Sequence, residues 1–484
     1  MQKTIISIAL AALTLCSQQL LAAPNVLLVI ADDMGVEAMS AYGLGATAPT
    51  TAALDQIAQD GVLFKNFWSQ PVCSPTRASI MTGRYGFRTG VGYAVAPEER
   101  GGVSGPLPPA LAKPAYAPNE TPINRSLVDP PHSRGLQSNE FTFPMALAAG
   151  TDDAYRTAEV GKWHMADVNN GWLEHPGRAG FDFYSAIMHG GDSYFSWRKN
   201  LNGEAVRLTS YGAVDRADTA IDWIGKQGDE PWFMWLSFIL PHTPLHLPPR
   251  ELLQSDYSDL SPTADPADDP IRYFHAMIEA MDTSIGRVLD SMTPEVRANT
   301  YVIFIGDNGT TNSSVTEPFR SGAAKGTPYQ GGVNVPLIVS GPGVVEGGVS
   351  EALVHSADLY STMLEMAGAD IADSIPRGIL HDSVSFLPYL ANPRRASLRD
   401  WVYADVFPGS FEGVPDASYA MRNDRYKLLR HRGVEEFYDL AVDPYEHNNL
   451  LAGNLSSEQQ AQYQMLKEEI SDLRQGDAAS EGKY

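Results

Sequence analysis

The chain has 484 residues, 43% of them hydrophobic, which is enough for one large domain with a smaller one beside it. Its 35 Lys+Arg against 58 Asp+Glu leave a net charge of −23, which argues against nucleic acid or an anionic membrane as a general partner. An anionic small substrate is still compatible with that charge, provided that basic residues gather locally.

The N-terminus reads MQKTIISIALAALTLCSQQLLAA. Lys3 gives it a positive start, Ile5 to Leu15 is an apolar run too short to span a bilayer, and Ala22 and Ala23 are the small residues of a cleavage site. Residues 1–23 therefore read as a secretory signal peptide, and the mature chain as an exported protein, periplasmic or secreted. No later segment is apolar for long enough to cross a membrane. Cys16 leaves with the signal, and Leu15 before it is not the small residue that a lipidation signal prefers. That leaves Cys73, which has no partner for an internal disulfide. A lone thiol is ordinarily a small buried hydrophobe, but Pro75, Thr76, Arg77 and Ser79 are a poor setting for an apolar core position.

Along the chain, four short apolar runs each end in polar residues. Val26–Ile30 ends in Asp32 and Asp33, AYRTAEVGKWH ends in Lys162 and His164, Trp232–Leu240 ends in His242, and Tyr301–Ile305 ends in Asp307 and Asn308. Continuous apolar runs of this length predict strands buried on both faces, as in a largely parallel sheet. Between them, TTAALDQIAQDG puts Leu54, Ile57 and Ala58 on one helical face. IRYFHAMIEAMDTSIGRVLDSM does the same with Ile271, Phe274, Ile278, Met281, Ile285 and Val288. The Pro/Gly-rich stretch from Ala94 to Ser138 is the one long loop-like segment. Alternating strands and helices give an α/β fold whose ligands sit beyond the carboxyl ends of the strands, so the four polar clusters should meet at one sheet edge. A large domain over 24–390 should be followed by a smaller C-terminal α+β domain over 391–484. Its antiparallel sheet is predicted from DWVYADVF, ASYAMRN, RYKLLRHR and EEFYDL, and its closing helix from SSEQQAQYQMLKEEISDLR.

The chemistry follows from residue types. Asp32, Asp33, Asp307 and Asn308 make an all-oxygen donor set suited to a hard divalent cation, without a Cys or His pair at zinc spacing. Either pair alone after a strand reads equally as a turn or helix cap; two pairs at two strand ends point to a metal. Arg77, Lys162, His164, His242 and Lys325 would add positive charge and proton carriers around it.

Cys73-Ser74-Pro75-Thr76-Arg77, continued by ASIMTGRY, resembles the C-x-P-S/T-R signature of type I sulfatases in the alkaline phosphatase superfamily. NVLLVIADDMG, GKWH, GFDFY, PHTP, IGDNG, the lysine before YQGGVNVPLIVSGPG, ADLYSTMLEMAG and the C-terminal RNDRYKLL and EFYDLAVDPYEHNNL extend the resemblance from about Asn25 to Leu450. It implies an alkaline phosphatase-like large domain that hydrolyses sulfate esters, arylsulfatase-like and open to sulfated carbohydrate or small sulfated substrates. It also implies that a separate formylglycine-generating maturation enzyme oxidises Cys73 to an aldehyde, whose hydrate attacks sulfur with one hydroxyl and expels sulfate with the other. One Ca2+ per chain would be held by Asp32, Asp33, Asp307 and Asn308, with the modified Cys73 completing the shell. Arg77 and Lys162 would hold the diol, and His164 would take its proton. His242 and Lys325 would contact sulfate, one of them serving the leaving group, and His189 would touch substrate. Gln330 and Asn334 stand where many relatives have Glu and Arg, and GKWHMADV lacks the usual Leu-Gly; neither change removes a catalytic group. A phosphatase or phosphonate monoester hydrolase of the same superfamily, and a non-catalytic binding protein on this scaffold, are the competing readings.

Overall fold

The computed structural model describes residues 23–96, 133–190, 193–409 and 411–475. The expected signal peptide, apart from Ala23, and residues 97–132 of the long loop lie outside the described residues.

The large sheet contains β1 (Asn25–Ala31), β2 (Gly61–Trp68), β3 (Arg156–Lys162), β4 (Phe183–Ile187), β5 (Trp197–Leu201), β6 (Glu204–Leu208), β7 (Trp232–Ser237), β8 (Thr300–Gly306), β9 (Leu337–Ser340) and β10 (Gly348–His355). Their order across the sheet is β10-β2-β9-β8-β1-β7-β3-β4-β5-β6. The centre, β8-β1-β7-β3-β4, is parallel throughout. β9 runs antiparallel between β8 and β2, and β5 and β6 form an antiparallel hairpin at one edge. The sheet is mixed, with its parallel part where the apolar runs were expected.

Both faces of β1 are covered, which is why its sequence is continuously apolar. Val26, Leu28 and Ile30 pack into one hydrophobic layer with helices Phe143–Gly150 and Asp358–Met366. Leu27, Val29 and Ala31 pack into the opposite layer with helices Ala52–Gln59, Gly212–Ile224 and Pro270–Asp290. Each fully buried Leu, Ile or Val contributes roughly 1.5–3 kcal/mol relative to exposure, so the strand is anchored from both sides.

The last helix of the first layer is Leu387–Ala391, and a second sheet begins at residue 402. It is antiparallel throughout, in the order β11 (Val402–Val406), β12 (Ser418–Arg422), β13 (Tyr426–His431), β14 (Val434–Asp439). Side chains alternate along these strands. Ala404, Ala420, Leu429 and Tyr438 pack against Trp68, Val333 and Leu353 of the large domain. Tyr403, Met421, Leu428 and Phe437 face Leu466 and Ile470 of the closing helix Ser457–Gln475.

Candidate active site

Because β1, β3, β7 and β8 are parallel, their carboxyl ends share one edge, and the chain turns there into the polar clusters. Asp32 and Asp33 follow β1, Asp307 and Asn308 follow β8, and the two turns are tied by Asp307 N–H donating to Ala31 O at 3.0 Å and Asp33 N–H to Asp307 Oδ1 at 3.2 Å. Asp33 has φ 70, a left-handed conformation that costs a non-glycine residue of order 1 kcal/mol and that the surroundings must hold in place.

Cys73 begins the helix Cys73–Thr82, where free backbone N–H groups and the dipole favour negative charge. Arg77 lies one turn on and is fully buried. Its Nε and one terminal nitrogen donate to Asp307 Oδ2 at 3.1 and 2.7 Å, and the other terminal nitrogen donates to Lys162 O and Ser237 Oγ, each at 2.5 Å. Lys162, the last residue of β3, places Nζ 2.5 Å from Asp32 Oδ2. His164, held at φ 56, brings Nδ1 to 3.3 Å from Cys73 Sγ. His242 Nε2 is 3.7 Å from Asp33 Oδ2, and the Lys325 ammonium pairs with the other oxygen of Asp33. Arg77 and Lys162 thus rest on carboxylates rather than on Cys73.

Burial and neighbouring charges together set the ionisation of several groups here. Burial pushes Asp32 up, but Lys162, His242, Arg77 and Lys325 outweigh it and hold its carboxyl well below the usual range. Asp307 is pushed up by burial and by the neighbouring Asp32 charge. Burial and then Lys162 drive His164 far below an ordinary imidazole, so it is neutral. Burial raises the Cys73 thiol despite Lys162 and Lys325. For Lys162, Lys325 and Arg77, burial favours loss of the proton, but the facing carboxylates win and all three stay charged.

Among the residues of this cluster, three buried oxygens have no hydrogen-bond partner: Asp32 Oδ1, Asp33 Oδ2 and Asn308 Oδ1. An unpartnered buried polar atom is costly, and three converging ones are the donor set of a hard cation. Ligand atoms of Asp32, Cys73 and Asp307 lie within 4.8 Å of one another, as do those of Asp32, Asp33 and His242. The residues present fit a divalent ion such as calcium.

The more distant sequence-predicted residue, His189, lies one loop away. It stacks on Trp172, with ring centroids 6.2 Å apart at 15°, and a methyl group added at the adjacent Gly190 would sit 3.9 Å from His242 Cε1. Gln330 accepts from Trp68 Nε1 at 2.9 Å, and its own N–H donates to Glu446 Oε2 at 2.6 Å, so it joins the large domain to the C-terminal sheet. One contributor was missed by sequence reasoning: Ser237, which accepts from Arg77, is the polar residue that ends the WFMWL run. Tyr194 donates to His242 O at 2.5 Å.

Residues 24–369 match the model of the Sulfatase family. The chain belongs to the sulfatase family. Residues 324–476 also match the model described as N-sulphoglucosamine sulphohydrolase, C-terminal. This sulfatase is 26% identical to arylsulfatase G of Rattus norvegicus, over 88% of this chain and 79% of that protein. It is 30% identical to N-acetylgalactosamine-6-sulfatase of Homo sapiens, over 77% of this chain and 66% of the relative. A solved structure in complex with its substrate D-glucosamine-2-N,6-O-disulfate has the same fold, with TM-score 0.67 at 19% identity, covering 94% of this chain and 99% of that one. The sulfatase is therefore a sulfuric ester hydrolase of the alkaline phosphatase-like superfamily. Among the described residues, no helix is long and apolar enough to cross a membrane.

Proposed function

We propose that this sulfatase cleaves sulfate esters, with sulfated carbohydrate as the leading substrate class, through a formylglycine made from Cys73 and one calcium ion held by Asp32, Asp33, Asp307 and Asn308. The observation that carries this reading is the set of unpartnered oxygens of Asp32, Asp33 and Asn308, gathered where Cys73 opens its helix. Calcium there would neutralise the carboxylates and polarise a sulfate oxygen. The modification supplies a geminal diol, one hydroxyl for attack on sulfur and a second whose proton can leave as sulfate is expelled. An unmodified thiol suits the role poorly, because burial keeps it protonated and the thiolate is the reactive form.

The chain's own residues divide into a floor and a rim. Arg77 and Lys162 have fully buried side chains and brace Asp307 and Asp32, fixing the carboxylates and lending positive potential to the residue-73 side chain. His164 is neutral and faces Cys73 Sγ at 3.3 Å, an atom that stands in for the oxygens of the matured side chain, so its Nδ1 can accept a hydroxyl proton. His242 and Lys325 are 21% and 20% exposed. They are the groups that an arriving sulfate meets, Lys325 as a fixed charge and His242 as a proton carrier for the leaving oxygen.

Cys73 is 1% exposed, so the formylglycine-generating enzyme has to act before folding closes the site. Human N-acetylgalactosamine-6-sulfatase and the glucosamine disulfate complex support carbohydrate as the substrate class. The signal-like N-terminus supports export to the periplasm or beyond. The test is kcat/KM for matched sulfate and phosphate monoesters of one leaving group. We expect the sulfate to be preferred, because one divalent ion suits a singly charged ester; preference for the phosphate would overturn the reading in favour of a phosphatase.

A further inference from the structure

The β5–β6 hairpin at the sheet edge carries an arrangement that the catalytic cluster does not use. Arg198 and Arg207 stand directly opposite each other across its two strands, both exposed. Like charges in such a pair are destabilising, and among the described residues no carboxylate lies within ion-pair distance of either. Arg207 donates to Ser196 Oγ at 3.1 Å. In a chain of net charge −23, an uncompensated arginine pair is a local positive spot.

Its position is defined by contacts. Ser185 and Ala186 of β4 pair with Leu201 and Asn200 of β5, so Arg198 lies level with the carboxyl end of β4, at the same edge as the catalytic cluster. Arg198 shares its face of the hairpin with Asn200, whose amide donates to Leu173 O at 2.7 Å and so holds the Trp172 turn beside the hairpin. Trp172 stacks on His189, and Gly190 lies against His242. Tyr194, at the entry to β5, bonds the His242 carbonyl. A chain of contacts therefore links the sulfate-facing His242 to the hairpin that carries the arginine pair. The strand order puts β5 four steps from β1, about 19 Å at the usual interstrand spacing. A monosaccharide sulfate cannot bridge that span; an oligosaccharide can.

We propose that Arg198 and Arg207 form a second anion subsite. It takes a sulfate group on another residue of an extended polysulfated carbohydrate while the ester to be cleaved sits at His242 and Lys325. The inference rests on the carbohydrate sulfatase reading above. Two guanidinium groups across one strand pair supply parallel N–H donors suited to the oxygens of sulfate, and their exposure makes the contribution salt-sensitive.

The test is calorimetric binding of sulfated maltohexaose and unsulfated maltohexaose to the full-length Cys73→Ala protein, with and without Arg198→Gln and Arg207→Gln. We expect the sulfated hexasaccharide, and not the unsulfated one, to bind the Cys73→Ala protein, with affinity falling as salt rises. The double arginine substitution should weaken that binding at least tenfold and flatten the salt dependence, with an unchanged thermal midpoint as the control for folding. In the Cys73-containing enzyme, the same double substitution should lower the ratio of kcat/KM on sulfated oligosaccharide to that on a small aryl sulfate. Unchanged affinity in the arginine variant, or equal binding of the unsulfated sugar, would overturn the subsite. A parent enzyme inactive on every sulfate ester would sink the catalytic reading instead, and the calorimetry would still decide the subsite.

Discussion

Cys73 sits at the first turn of a fully buried helix, with a neutral His164 beside it and four cationic or proton-bearing groups around the adjoining carboxylates. Cys73→Ala should abolish sulfate-ester hydrolysis and leave the fold intact by circular dichroism. Cys73→Ser should give at most a single turnover, because a serine sulfate has no second hydroxyl to expel it; sustained turnover by that variant would exclude the formylglycine route. Lys325→Ala removes one preorganised charge from the rim and should cost on the order of a hundredfold in kcat/KM, and an unaffected variant would remove Lys325 from the site. Asp33→Ala and Asp307→Ala should each lose bound calcium, measured by atomic emission, together with activity. Added calcium should raise the thermal midpoint of the parent and not of these variants; full activity in chelator would contradict the metal assignment. These residues were legible in the sequence because each stands at the end of an apolar run or within a family motif. Arg207 and Trp172 were not, because an arginine on an edge strand or a tryptophan in a turn looks ordinary until the strand order shows what it faces.

At the scale of elements, the site depends on how closely β3 and β7 approach beneath it. Gly161, one residue before Lys162, has φ 116, and a Cβ there would lie 1.8 Å from Ser237 O. Gly161→Ala combines a left-handed backbone with a clash against a neighbouring strand, so it should cost about 3 kcal/mol or more. It should also lower kcat by displacing Lys162 and Ser237 together. Thermal unfolding and kinetics of the same preparation check this; a variant of parental stability would show that the strands can part without cost. The parallel strands were readable because burial on both faces makes them continuously apolar. β9 and the β5–β6 hairpin were not, since LIVS is too short to reveal its antiparallel direction and WRKNL and EAVRL carry edge-strand charges. The helix Cys73–Thr82 was also hidden: all its residues are buried, so there is no amphipathic period to read.

Across the whole molecule, a buried ion pair within the C-terminal part lies against the large domain where the two pack together. Lys427 Nζ lies 2.5 Å from Glu446 Oε1 and 4.7 Å from the centre of the Trp68 ring, while Glu446 also accepts from Gln330 N–H in the segment that follows Lys325. Lys427→Met would strand a buried carboxylate and should destabilise by about 3–5 kcal/mol, with Glu446→Gln in the same chain recovering much of the loss. Urea unfolding reads both, and a double variant no more stable than the single one would deny the coupling. The antiparallel sheet of the C-terminal part, set beside the mixed sheet of the large domain, followed from its short predicted strands. The docking of the two did not, because Lys427 and Glu446 read as surface charges until the fold buries them. The central claim, that this sulfatase works through a matured Cys73, is tested most directly by tandem mass spectrometry of the tryptic peptide Asn66–Arg77 from protein active on a sulfate ester. The account predicts an aldehyde at residue 73, lighter than cysteine and reactive toward a hydrazide. An unmodified thiol in fully active protein would contradict it.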